Sequence, residues 1–174
     1  PSLSPDVVDS KGETYSVGMN DLADFNSDAK SSIVKIITDY ENWISDEEQK
    51  IEGLQSAFKN IAQDHIKECR LFLSNIKAGW NLLEVNSDIR QCLQDASAAM
   101  NKQRIAYGAD TREVEYDSKT KKYKIQGQNP HIAEIKQARW RPFQIAFVLA
   151  NLVRASAKAE IEDSAVDVIW MPTG

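Results

Sequence analysis

Cysteine and histidine are scarce in this chain. There are two of each among its residues, and the cysteines, Cys69 and Cys92, lie far apart. They do not show the spacing of metal ligands, so no zinc-type framework is expected, and both fall on helical faces where reduced thiols pack in a core. Long apolar runs are missing as well. No stretch of about 18 or more apolar residues occurs, so no membrane span is expected. No signal-peptide pattern opens the chain, and its first residue is Pro1 rather than methionine, as expected of a cut from a longer protein; the reduced thiols fit the cytoplasm. Positive charge is in deficit, with a formal net charge of -5. Phosphate neutralisation supplies most nucleic-acid affinity, so this segment is not expected to hold nucleic acid by bulk charge alone.

The 174 residues with 42% hydrophobic content suffice for one compact domain with a real core. Residues 1–26 are poor in pattern and read as an irregular segment, with a short strand near Thr14–Val17. From Ser27 the texture changes. Ile33, Ile36, Ile37, Tyr40, Trp43 and Ile44 recur at three- and four-residue spacing, the signature of a helix stripe. Ser45-Asp46-Glu47-Glu48 reads as a capping box that opens a second helix. Its stripe would run through Ile51, Leu54, Phe58, Ile61, His65, Cys69, Phe72 and Ile76 to a stop at Gly79, with Trp80, Leu82 and Leu83 as an apolar connector. Asn86 or Ser87 can cap a third helix carrying Ile89, Cys92, Leu93, Ala96, Ala99 and Met100, ended by Gly108. The small residues Ala96, Ser97, Ala98 and Ala99 permit close helix contact.

Val114 and Tyr116, then Tyr123 and Ile125, alternate with charges around the polar stretch Asp117–Lys122. This is a solvated hairpin, broken by Asn129-Pro130. A helix is expected from Pro142, because proline at the first helical position loses no hydrogen bond. Phe143 to Val153 is apolar nearly all round and should be buried on more than one side. After a polar linker, Ala165–Met171 reads as a buried parallel strand, followed by Pro172-Thr173-Gly174. The domain plan is thus an irregular segment 1–26, a helical accessory domain 27–108, a hairpin insertion 109–130 and a distinct element 131–174.

The chemistry sits in that last element. A strand running into a glycine loop is how phosphate-binding sites begin, because loop amides must turn inward around the anion. Arg141-Pro142-Phe143-Gln144 stands upstream of it. Together the two motifs resemble the start of superfamily 2 helicases, where an Arg-Pro-aromatic-Gln helix start precedes the first core strand and a Pro-Thr-Gly-x-Gly-Lys-Thr loop. The resemblance implies that Gln144 reads the adenine edge of ATP, with Arg141 beside it. It also implies that Pro172, Thr173 and Gly174 lie next to the phosphates. The carboxamide offers adenine both a donor and an acceptor; capping its own helix is the alternative use for Gln144. Trp140, between two arginines, would stack on adenine or on a nucleic-acid base, or else pack in the core. The loop lysine and the Mg2+-binding hydroxyl would lie beyond Gly174, so the segment alone is not expected to hydrolyse ATP.

The helical part is similar to something narrower. Asp39-Tyr40-Glu41-Asn42-Trp43-Ile44, His65, Cys69, Gly79-Trp80-Asn81-Leu82-Leu83 and Ala98-Ala99-Met100-Asn101-Lys102-Gln103 resemble the region ahead of the helicase core in DrmA-type proteins, the helicase-like subunits of the DISARM antiphage system. That resemblance spans residues 33–174, leaving the hairpin unmatched. It implies a DNA-binding, ATP- and Mg2+-dependent parent protein of phage defence, with other defence-system subunits as partners. The fold expected is mainly α: a helical bundle with a β-hairpin excursion, ending in the first helix and strand of a RecA-like core. The alternative is a non-enzymatic helical protein-interaction module. His65 and Cys69, one helical turn apart, could share a metal but lie on the apolar stripe, where a core role is expected. Lys119-Thr120-Lys121-Lys122 at the hairpin tip could touch a phosphate backbone, but reads first as a solvated turn.

Overall fold

A computed structural model describes residues 16–107, 113–126 and 138–157. In chain order these form β1 (Val17–Gly18), α1 (Met19–Asp24), α2 (Ser27–Lys50), a 3-10 turn (Ile51–Gly53), α3 (Ser56–Val85) and α4 (Ser87–Tyr107). The hairpin strands β2 (Glu113–Asp117) and β3 (Lys122–Gln126) follow, then β4 (Arg139–Trp140) and α5 (Pro142–Ser156). The described residues are mainly helical, with two small antiparallel strand pairs among them.

The core runs along α3. Its face of Ile66, Leu73, Ile76, Trp80 and Leu83 is buried, and α2 packs on it through Ile33, Ile37 and Ile44. From the other side α5 contributes Ile145, Ala146 and Leu149, and forms the most extensive helix pair in the fold with α3. Non-directional burial of these side chains supplies the main driving force. At the other end of the bundle α1 lies against α4. The chain turns from α1 into α2 at Phe25, which adopts a left-handed conformation with φ 49°. Asn26 then caps α2, its side chain accepting from the amides of Asp28 and Ala29, each at 3.0 Å. The Phe25 ring lies 5.9 Å from that of Trp80 and takes Lys30 and Arg90 over its faces.

Three expectations about the helices are corrected. The Ser45-Asp46-Glu47-Glu48 box does not start a helix, and α2 passes through it without interruption to Lys50. The Ser45 hydroxyl donates to the Glu41 carbonyl one turn back, which satisfies it inside the helix rather than at an end. Buried Ile44 and Ile51 carry one apolar face across the supposed boundary, and the chain breaks only at the turn ending in Gly53. Second, Gly79 does not stop α3, which continues through Trp80 and Leu83 to Val85. Gly79 is a close-approach glycine. A Cβ there would lie 2.0 Å from the carbonyl oxygen of Leu149, on the backbone of α5. Third, the stripe assigned to the first turns of α3 faces water, with Leu54, Phe58 and Ile61 exposed. His65 and Cys92 are exposed as well, and only Cys69 is half-buried, so the expected core roles of His65 and Cys92 do not hold. The buried face of α3 runs instead through Ile66, Leu73 and Ile76.

The third helix begins where expected, but Cys92, Ala96, Ala99 and Met100 of its expected stripe are exposed and Leu93 is the buried one, and on α5 Val153 is exposed as well. Asn86 caps α4, accepting from Asp88 at 3.0 Å and Ile89 at 3.1 Å. Of the four small residues on α4, only Ser97 is fully buried. The hairpin pairs Val114 with Ile125 and Tyr116 with Tyr123, and Asp117 Oδ1 accepts from the amides of Lys119 and Thr120 to close its turn. Residues 1–26 hold more order than expected, since residues 19–24 are helical. A strand lies at Val17–Gly18, whereas Thr14 and Tyr15 fall outside the described residues, as do Gly108, Asn129-Pro130, the strand 165–171 and Pro172-Thr173-Gly174.

The glycine contact yields a test. Gly79→Ala forces the α5 backbone away at a cost of about 1–3 kcal/mol, against about 1 kcal/mol gained in helix propensity. Gly53, where an added Cβ would meet nothing within 4 Å, is the control. Urea unfolding of the 174-residue chain should show Gly79→Ala destabilised and Gly53→Ala unchanged or more stable.

Candidate functional site

The site is built where β4 meets α5. Strand β4 pairs antiparallel with β1, Val17 opposite Trp140 and Gly18 opposite Arg139. Proline disfavours a helical conformation in the residue before it, so Arg141 stays extended at φ -72° and ψ 152° and serves as the N-cap. Pro142 then occupies the first helical position, as its fixed φ favours. Gln144 falls at the third, where its Oε1 accepts from the backbone N–H of Arg141 at 3.0 Å. This is the reaching-back half of a capping box. The Gln144 amide is half-buried, and its Nε2 hydrogens make no bond to a described residue. One lone pair of the oxygen holds the helix start, and the donors are without a partner among the described residues.

The neighbours divide by exposure. Arg141 is exposed at the helix start, where the partial positive charge of the α5 N-terminus is also greatest. Trp140 is buried at 7% exposure, its indole N–H donating to Ser97 Oγ at 2.9 Å. Its ring is therefore used in packing, the second of the two uses expected for it. Pro172, Thr173 and Gly174 lie outside the described residues. Among the described residues no group of three or more His, Cys, Asp or Glu side chains is placed to hold a metal ion. His65 stands exposed on α3, and the hairpin tip Lys119–Lys122 is exposed.

Beside the helix start lies a feature that the periodicity did not reveal. An open apolar cleft of about 540 Å³ is framed by Tyr40 and Trp43 of α2, Phe72 of α3, and Pro142, Phe143 and Ala146 of α5. Tyr40 and Trp43 stack with centroids 5.8 Å apart, and Phe72 meets Tyr40 edge-on at 6.2 Å. Burial, then a hydrogen bond with the Cys69 thiol, holds the Tyr40 phenol well above its ordinary pKa. The sequence signal was the width of the α2 stripe. Ile36, Tyr40 and Trp43 form a second edge to it, too wide for one neighbouring helix.

Compared with known proteins, the chain is 28% identical over 138 residues to the DISARM protein DrmA of Bacillus paralicheniformis. The match covers 78% of this chain but 11% of that protein, so the chain spans about a tenth of its relative's length. The resemblance read from the helical motifs is thus a sequence similarity to a DrmA. No family profile matches the chain, and no solved structure matches it.

The two roles of Gln144 can be separated by substitution. Gln144→Ala removes the acceptor for the Arg141 amide and should cost the isolated chain about 0.5–1.5 kcal/mol, the net worth of one such bond. Gln144→Glu keeps an acceptor, adds negative charge at a helix N-terminus, and should unfold at the same urea concentration as the parent or higher.

Proposed function

We propose that this chain is the front part of a DrmA-like, ATP-dependent helicase or translocase acting on DNA in antiphage defence. In this reading α5 opens a RecA-like ATPase core. The helices of 27–108 form an accessory domain joined to that core through the α3–α5 contact. The observation that carries the reading is the Arg141-Pro142-Phe143-Gln144 turn. It sets a half-buried carboxamide, with both donors open, at the positive end of a helix whose flanks pack in the core. The similarity to DrmA over 78% of the chain supports the defence assignment.

The chemistry follows from the base edges. Adenine presents an N6 amine donor and an N7 acceptor side by side, a pattern that one carboxamide meets twice. Gln144 Nε2 would donate to N7, and Oε1 would accept from N6 with the lone pair left free by Arg141. Guanine carries an oxygen at the position of N6, which would face Gln144 Oε1 and repel it. Preference for ATP over GTP is therefore the expected signature of this residue. Arg141 would flank the base. Pro172, Thr173 and Gly174 would turn amides toward the phosphates, and Mg2+ would be held by residues of the parent protein beyond this chain. The acidic balance of the segment, a formal -5, leaves the main DNA grip to other parts of the parent protein.

Nucleotide binding and DNA-stimulated ATPase activity of the full-length protein test this. Wild type should prefer ATP to GTP. Gln144→Glu, which keeps the cap and the oxygen facing the 6-position but loses the donor to N7, should reduce ATP affinity about tenfold, or about 1.4 kcal/mol, whereas Gln144→Ala, which removes that oxygen, should abolish the preference. Unaltered affinity and preference in folded Gln144→Glu and Gln144→Ala proteins would remove Gln144 from the site. Absence of any ATPase activity, with or without DNA, would overturn the helicase reading in favour of a helical interaction module.

A further inference from the structure

We infer that Ser97 is a positioning residue for the Gln144 turn, acting from α4 through the indole of Trp140. This rests on the adenine-reading role proposed for Gln144, and adds a residue of the helical domain that would govern it.

Ser97 is fully buried, and its hydroxyl works in both directions. It accepts from Trp140 Nε1 at 2.9 Å and donates to the backbone carbonyl of Met19 at 3.0 Å. It is the middle of three polar side chains on one face of α4, spaced three and four residues apart. Gln94 Nε2 donates to the Ala23 carbonyl at 2.7 Å, and Asn101 Nδ2 to Asn20 Oδ1 at 2.6 Å. Together the three side chains hold α1 along its length. The segment leading into α1 pairs with β4, and the Met19 amide donates to the Ala138 carbonyl at 2.9 Å. Trp140 is thereby held at two points: by its backbone in the β1–β4 pair, and by its ring at Ser97.

The consequence falls on the next peptide. The Trp140 carbonyl and the Arg141 N–H share one rigid plane. With the indole fixed and Pro142 restricting Arg141 from the other side, that plane has little freedom to rotate. Its N–H is the group that Gln144 Oε1 accepts from. Apolar packing of an aromatic ring at position 140 would supply burial energy but little direction. The hydrogen bond to Ser97 supplies the direction, and so sets which way the Gln144 donors face.

The experiment uses full-length protein carrying Ser97→Ala, Trp140→Phe, or both. Two quantities are read in each: the ratio of GTP to ATP dissociation constants, and hydrogen exchange at the Arg141 amide with Leu73 in α3 as internal reference. Each single variant should lower the ratio about tenfold, within the usual range of site-to-site coupling, and speed exchange at Arg141 but not at Leu73. The double variant should match Ser97→Ala, because both changes break the same bond. Trp140→Phe keeps the Met19 contact and serves if Ser97→Ala does not fold. A lowered melting temperature with unchanged ratio and unchanged Arg141 exchange would overturn the positioning role. If wild type shows no nucleotide preference, the adenine reading fails, and exchange at Arg141 alone decides whether Ser97 holds the turn.

Discussion

The backbone contact between Gly79 and Leu149 is the constraint on which the arrangement depends. Helix α5 is apolar enough to bury itself in many orientations, and burial alone would not choose among them. A glycine at one point of a long helix does choose. It lets the α5 backbone come closer to α3 than any side chain would allow, which fixes where along α3 the crossing occurs. Close-packed interiors transmit such a constraint rather than absorbing it. From that crossing the position of Pro142 and Gln144, one to two turns earlier on the same helix, is set relative to the bundle.

The N-terminal end of α5 is also set by polar contacts. Buried hydroxyl and amide groups on α4 cost free energy unless paired, and the Ser97 hydroxyl is paired on both sides. Asn101 is paired through its amide, while its Oδ1 is buried with no partner among the described residues. These contacts join α1, α4 and β4 into a unit that ends at the N-cap of α5. The candidate adenine-reading turn thus lies between a steric stop on one side and a directional polar clasp on the other. The aromatic cleft of Tyr40, Trp43, Phe72 and Phe143 opens beside it.

Much of this was legible from residue pattern. The period of the α2 stripe, the Asn86 cap, the charged alternation of the hairpin and the proline start of α5 each rest on local chemistry, and each appears where expected. The failures share a cause. Ser45 followed by three acids carries the local signature of a helix start, and Gly79 carries that of a helix end, but each signature has two physical solutions. A serine can cap a helix or bond back inside one, and a glycine can end a helix or admit a neighbour. The choice was made by residues distant in sequence: Ile44 and Ile51 keeping one face against the core, and Leu149 approaching from α5. Trp140 was equally open. Flanked by arginines it suggested a stacking surface, and Ser97, 43 residues away, took its indole inward.

By itself the sequence determined the helical class of the chain, the start of α5 and the motif Arg141-Pro142-Phe143-Gln144, because these depend on proline geometry, capping and periodicity within a few residues. Only the tertiary structure decided that α2 runs unbroken, that Gly79 is a crossing point, and that Trp140 is held from α4 while Gln144 keeps its donors open. Those outcomes depend on which backbone arrives at a given side chain from far along the chain, and short-range spacing carries no information about that arrival.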